Sequence, residues 1–145
     1  AACSSNADVQ QTAGHNADTL SVADSAAART LIIGSGGGFT GIYRGYRLCS
    51  DGRVYGWSAA AGARDTGTIL FTDPDSVALF FGMIDEMKFQ QLNYTDVGNM
   101  NWYVEFQQGD QQHRVQWSTA PPAGGIAELH RRVSAWAMRR SKQPE

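Results

Sequence analysis

The chain has 145 residues, 42% of them hydrophobic, and a formal net charge of −2, which bounds it to one ordinary domain with some chain to spare. Four Trp, six Phe and five Tyr can seed a real core. The slightly acidic balance speaks against nucleic-acid binding through bulk electrostatics, and no apolar run approaches the roughly 18 residues of a membrane-spanning helix.

Residues 4–28 are mostly Ser, Asn, Asp, Gln, Thr, Ala and Gly, with only Val9, Leu20 and Val22 as sizeable apolar side chains, no Phe, Tyr or Trp, and no Lys or Arg before Arg29. Such a segment cannot bury enough surface to offset its ordering entropy. It reads as a flexible tether reaching roughly 25–30 Å. Ahead of it stands Ala1-Ala2-Cys3-Ser4-Ser5. Small residues just before a cysteine suit a signal peptidase, and this stretch resembles the end of a bacterial lipobox. The resemblance implies a lipid anchor at Cys3 and a place in the bacterial cell envelope, on the periplasmic side of the outer membrane. The other cysteine is Cys49, and a Cys3–Cys49 disulfide stays open as an alternative. The expected division is therefore a tether over 1–28, a single domain over 29–140 and a short tail over 141–145.

From Thr30 the character changes. Leu31-Ile32-Ile33 reads as a buried strand bounded by glycine. It enters the dense cluster Gly34-Ser35-Gly36-Gly37-Gly38-Phe39-Thr40-Gly41, and an alternating strand from Ile42 to Cys49 leaves it. Asp51-Gly52 predicts a two-residue hairpin turn that sets Cys49 beside Val54, Leu48 beside Tyr55 and Tyr46 beside Trp57. Cys49 then reads as a small buried hydrophobe. Residues 58–67 read as a loop, and Thr68–Phe71 as a short strand or the lead into a helix.

That helix is announced by Thr72 or Asp73 as cap, Pro74 at the first position and Asp75 in the first turn. Val77, Phe80, Phe81, Ile84 and Met87 share one face at helical spacing. After a polar loop over 93–101, Trp102, Val104 and Phe106 alternate with Tyr103, Glu105 and Gln107, and Gly109-Asp110 turns the chain. Folding there pairs Trp102 with Trp117, Val104 with Val115 and Phe106 with His113. Glu105 meets Arg114 and Tyr103 meets Gln116 on the other, wet face. A last helix follows the Pro121-Pro122 and Gly124-Gly125 break, with Ile126, Leu129, Val133 and Trp136 inward. The order predicts an α+β domain: an N-terminal strand and two hairpins in a mainly antiparallel sheet, with two helices on one face.

Chemistry is thinly signposted. Gly36-x-Gly38-x-x-Gly41 matches a nucleotide-binding glycine pattern, but the Rossmann form needs a helix to open at the third glycine, and Ile42 to Cys49 alternates as a strand. The Lys-Ser/Thr end of a P-loop and the companion motifs of a kinase are missing. His15, His113 and His130 are scattered, without the spacing of a zinc site. His113 reads as a satisfied edge residue and His130 as solvated. No serine or cysteine has a recognisable base partner. The expectation is no catalytic residue, no metal, no cofactor and no nucleic acid.

The run Ile32 to Ile42, with its Gly-Gly-Phe-x-Gly core, resembles the opening strand and signature of the emfourin family. Trp102-Tyr103-Val104-Glu105-Phe106, Val115-Gln116-Trp117 and the Leu-spaced terminal helix follow in a similar order, so the resemblance spans roughly residues 31–137. Emfourins are small inhibitors of thermolysin-like zinc peptidases. The resemblance implies a small protein-binding domain that inhibits a metallopeptidase. The residues expected to meet the partner are Gly36, Gly37, Gly38, Phe39, Thr40, Gly41, Tyr43 and Arg44, with Phe39 as anchor. The alternative is an accessory lipoprotein subunit of a larger envelope complex.

Overall fold

Strand β1 (Arg29–Gly37) is the spine of the domain, because it pairs along its whole length with β2 (Ile42–Cys49) on one side and β5 (Met100–Gln108) on the other. β3 (Arg53–Ala60) and β4 (Thr68–Thr72) extend the sheet beyond β2, and β6 (Gln111–Trp117) closes it beyond β5. The resulting order is β4-β3-β2-β1-β5-β6, with every neighbouring pair antiparallel. Two helices, α1 (Pro74–Glu86) and α2 (Ile126–Ser141), complete an α+β fold. The computed structural model describes residues 29–39, 41–60, 67–120, 122 and 125–142. The tether expected over 1–28, with Cys3 in it, lies outside the described residues, as does Thr40.

Alternation along each strand sorts the side chains onto two faces. Leu31 and Ile33 of β1 share their rows with Leu48, Val104 and Phe106. Val54, Phe71, Val115 and Trp117 join them in one buried cluster. Both helices pack on this face. α1 contributes Val77, Phe80, Phe81 and Ile84, and α2 contributes Ile126, Leu129, Val133, Trp136 and Ala137. Each fully buried large side chain of this kind contributes about 1.5–3 kcal/mol. Trp136 meets Phe71 and Phe80 edge-on at 5.2 and 5.0 Å, in the geometry that aromatic quadrupoles favour.

The helix ends follow from local chemistry. Asp73 caps α1 by accepting from the Ser76 N–H at 3.2 Å, and Pro74 follows it. The second carboxylate oxygen of Asp73 takes Arg140 Nε at 3.4 Å. One side chain therefore starts α1 and holds the last turn of α2. Arg139 and Arg140 at that last turn also oppose the negative end of the helix dipole.

The second hairpin has the expected register throughout: Trp102 faces Trp117, Val104 faces Val115, Phe106 faces His113, and Glu105 faces Arg114. The first hairpin is shifted by one residue. Leu48 faces Val54, Arg47 faces Tyr55, and Gly45 faces Trp57. The reason is the turn: Ser50, Asp51 and Gly52 all lie in it, and Gly52 takes φ 103 while its N–H bonds the Cys49 carbonyl at 2.8 Å. A three-residue loop with one left-handed glycine replaces the expected two-residue turn. A slip of one residue exchanges faces, so Val54 joins Leu48 in the core, and Tyr55 and Trp57 move to the face without helices.

That face is not wet at its centre. Glu105 is only 7% exposed, and its Oε2 accepts from the Gln107 and Gln112 amides at 2.6 and 2.7 Å. The Arg114 guanidinium stands 3.6 Å from its other oxygen and lies 3.7 Å over the Tyr103 ring. Burial pushes the Tyr103 phenol up to about 12. Cys49 is on this face, buried as expected, but it is disulfide-bonded rather than a free small hydrophobe.

Candidate functional site

The expected glycine loop is shorter than its glycines suggest. Gly34 to Gly37 continue β1, and β2 already begins at Ile42. Gly34 has no room for a side chain because rings cover it, and Gly36 because the β2 backbone does, a Cβ there lying 2.3 Å from the Ile42 carbonyl oxygen. A Cβ on Gly34 would come within 2.8 Å of both the Tyr103 and Trp57 rings, and one on Gly36 within 2.9 Å of the Tyr43 ring. In the row Trp57–Gly45–Gly34–Tyr103, two central glycines leave room for two flanking aromatics to lie across the sheet. Their ring centroids are 6.3 Å apart.

The reversal itself is held from one side. Gly37 and Gly38 take φ 116 and 72, and the Gly38 N–H donates to the Asn99 carbonyl at 2.8 Å. A Cβ on Gly37 would sit 2.3 Å from that same carbonyl oxygen, so the loop backbone lies directly against the segment that leads into β5. Gly41 takes φ 64 with open space around it. Phe39 stands at the tip, fully exposed. Thr40 lies outside the described residues.

The expected contact residues divide among three directions. Phe39 points from the tip. Tyr43 belongs to the face without helices, where its ring lies 6.3 Å from Tyr103 and its hydroxyl accepts from Asn101 Nδ2 at 3.1 Å. Asn101 in turn accepts from the Gly98 N–H and donates to the Gly98 carbonyl. Tyr43 thus supports the loop segment from below. Arg44 is exposed on the helix-bearing face. Gly36 is buried in the sheet, and no partner can reach it.

Three exposed apolar residues join Phe39 at this end of the molecule, and the sequence reading did not single them out. Ile42 and Met100 both face Gly37 across the sheet, and Val97 lies in the adjoining loop; all three are exposed. Alternation from Ile42 onward was the available signal for the first. Nothing local marks Met100 or Val97, since their placement depends on β5 pairing with β1.

The two histidines of the domain are both structural. The His113 ring bonds the Leu92 carbonyl at 2.6 Å and packs edge-on against Phe89, the satisfied edge position expected. His130 was expected on the solvated side of α2. Instead it is 9% exposed and its Nε2–H donates to the Gly34 carbonyl at 3.0 Å. Burial holds its pKa below the ordinary value near 6.5, against the smaller opposing effect of the Gly34 bond. The imidazole reaches the β1 backbone from the helix-bearing face, opposite the side on which a Gly34 side chain would stand. Among the described residues no group of three or more His, Cys, Asp or Glu could hold a metal ion, and no helix is long and apolar enough to cross a membrane. No protein-family model matches the chain, and no curated protein matches it.

Proposed function

We propose that this chain is a non-enzymatic protein-binding domain of the bacterial cell envelope, and that its contact surface is the glycine-loop end of the sheet. The observation that carries the reading is the grouping there of four exposed apolar side chains, Phe39, Ile42, Val97 and Met100, beside a backbone bonded to Asn99. Apolar side chains clustered at one place on a surface mark interaction sites more often than scattered ones do. A loop already fixed in shape loses little further entropy on binding, and an aromatic anchor supplies a large share of binding energy from one residue. The likeness of the Gly-Gly-Phe-x-Gly run to emfourins makes a thermolysin-like zinc peptidase the partner class to test first.

The experiment titrates the purified protein against a thermolysin-like peptidase, with Phe39→Ala as the comparison. Phe39 touches no core residue, so the variant is expected to keep its stability to within about 0.5 kcal/mol. Its inhibition constant should rise at least tenfold, since a central aromatic anchor is worth about 2 kcal/mol or more. Absence of inhibition by the wild-type protein removes the peptidase as partner. Inhibition that Phe39→Ala leaves unchanged removes the loop end as the surface.

A further inference from the structure

On the helix-bearing face the row beyond Tyr46 and Ile33 turns polar across three strands, where Ser58, Arg44 and Ser35 stand side by side on β3, β2 and β1, before Trp102 of β5 continues it. α2 passes over this boundary. Between the strands and the α2 residues His130, Ser134 and Met138 there is a cavity of about 690 Å³, walled also by Tyr46 and by Leu70 of β4. Small-molecule sites typically occupy roughly 300–1,000 Å³. Gly56 keeps the cavity open, because its missing side chain would sit 3.1 Å from Leu70.

The charge in this cavity is one-sided. Six arginines of the domain meet a carboxylate: Arg29, Arg53, Arg114, Arg131, Arg132 and Arg140. Among the described residues Arg44 makes no ion pair and no Asp or Glu lines the cavity. His130, the other basic residue there, is kept neutral by burial and spends its Nε2–H on Gly34. Among the described residues the cavity therefore offers the Arg44 guanidinium beside Ser35, and an apolar wall of Tyr46, Leu70 and Met138. A guanidinium fork matches a carboxylate with two parallel hydrogen bonds.

We infer that this cavity binds a small aliphatic carboxylate, with its head on Arg44 and its chain against Tyr46, Leu70 and Met138. The test is calorimetric titration of the full chain with octanoate below its micellar range, with octan-1-ol as the uncharged control. Wild-type protein is expected to bind octanoate at least tenfold more tightly than octanol. Arg44→Gln should erase that preference, and Ser134→Leu, which adds bulk from the α2 side, should weaken both ligands. Failure of octanoate to bind overturns the inference, and so does equal affinity for the two ligands. A preference that survives in Arg44→Gln overturns it as well. Because the octanol comparison is made within the wild-type protein, the first two outcomes do not depend on how well either variant folds.

Discussion

Gly34 and Gly45 face each other across the two central strands, and their reasons for being glycine differ in kind. A methyl on Gly34 would meet the ends of the Tyr103 and Trp57 rings at 2.7–2.8 Å, while one on Gly45 would lie 1.9 Å from the Ile33 carbonyl oxygen. Rings can slide by a few tenths of an ångström, whereas a strand carbonyl is fixed by its ladder. Overpacking of a well-filled site costs about 1–3 kcal/mol. Gly34→Ala is expected within that range and Gly45→Ala at or above its top. Gly109 is the control, because it has φ 60 with nothing within 4 Å. Gly109→Ala should cost only the left-handed backbone term of about 1–2 kcal/mol. Urea unfolding of the three variants gives the order, and a Gly34 variant costlier than the Gly45 variant would contradict the packing described. This use of glycine was hidden in the sequence, where Gly34 and Gly36 merged into one cluster with the turn glycines. Only the pairing of β1 with both neighbours separates strand glycine from loop glycine.

Helix α2 docks on the sheet partly through His130, and that contact makes its packing sensitive to acid. The imidazole is held below its ordinary value near 6.5 by burial. In the unfolded chain it takes up a proton as the pH falls through that value, while in the folded chain it does not until lower pH. The unfolded state then binds more protons, so stability is full above about pH 6.5 and declines as the pH falls toward the folded pKa. The slope from one such group is at most about 1.4 kcal/mol per pH unit. Asp73 does not share this window. Burial pushes its carboxyl up, but the bonds from Ser76 and Arg140 outweigh it and leave it below its ordinary 3.8, so its contribution is lost only in stronger acid. His130→Gln keeps a donor for the Gly34 carbonyl and does not titrate. Its denaturation midpoint is expected to fall less than the wild type's between pH 7 and pH 5, and parallel falls would refute the assignment. The elements themselves were largely legible: α1 from its Asp73-Pro74 start, α2 from its apolar spacing, and the β5–β6 hairpin from strict alternation around a two-residue turn. The β2–β3 register was not, because one more residue in the turn changes no composition yet exchanges the faces of Tyr55 and Trp57. Nor was the inward turn of His130, which depends on a backbone carbonyl 96 positions away.

For the molecule as a whole, an envelope anchor of the kind proposed would rest on one of two sulfurs. The sequence has two cysteines, and Cys49 is disulfide-bonded. A sulfur in a thioether to a diacylglyceryl group cannot also enter a disulfide, so a lipid anchor at Cys3 and a Cys3–Cys49 bond exclude each other in one chain. The anchored form of the proposal requires intact protein from native membranes, kept non-reduced, to show an acyl-sized mass increment on the fragment bearing Cys3. The Cys49 fragment must then be recovered without Cys3 attached. A linked Cys3–Cys49 peptide pair with no acyl increment removes the anchor and the lipoprotein reading with it. In that case Cys49→Ser should cost about 2–4 kcal/mol, the usual loss when a native cross-link is opened. Mass and stability are independent readouts, so agreement between them assigns the bond. The loop-end surface stands apart from either result, since Cys49 lies at the far end of β2 from Phe39 and its neighbours.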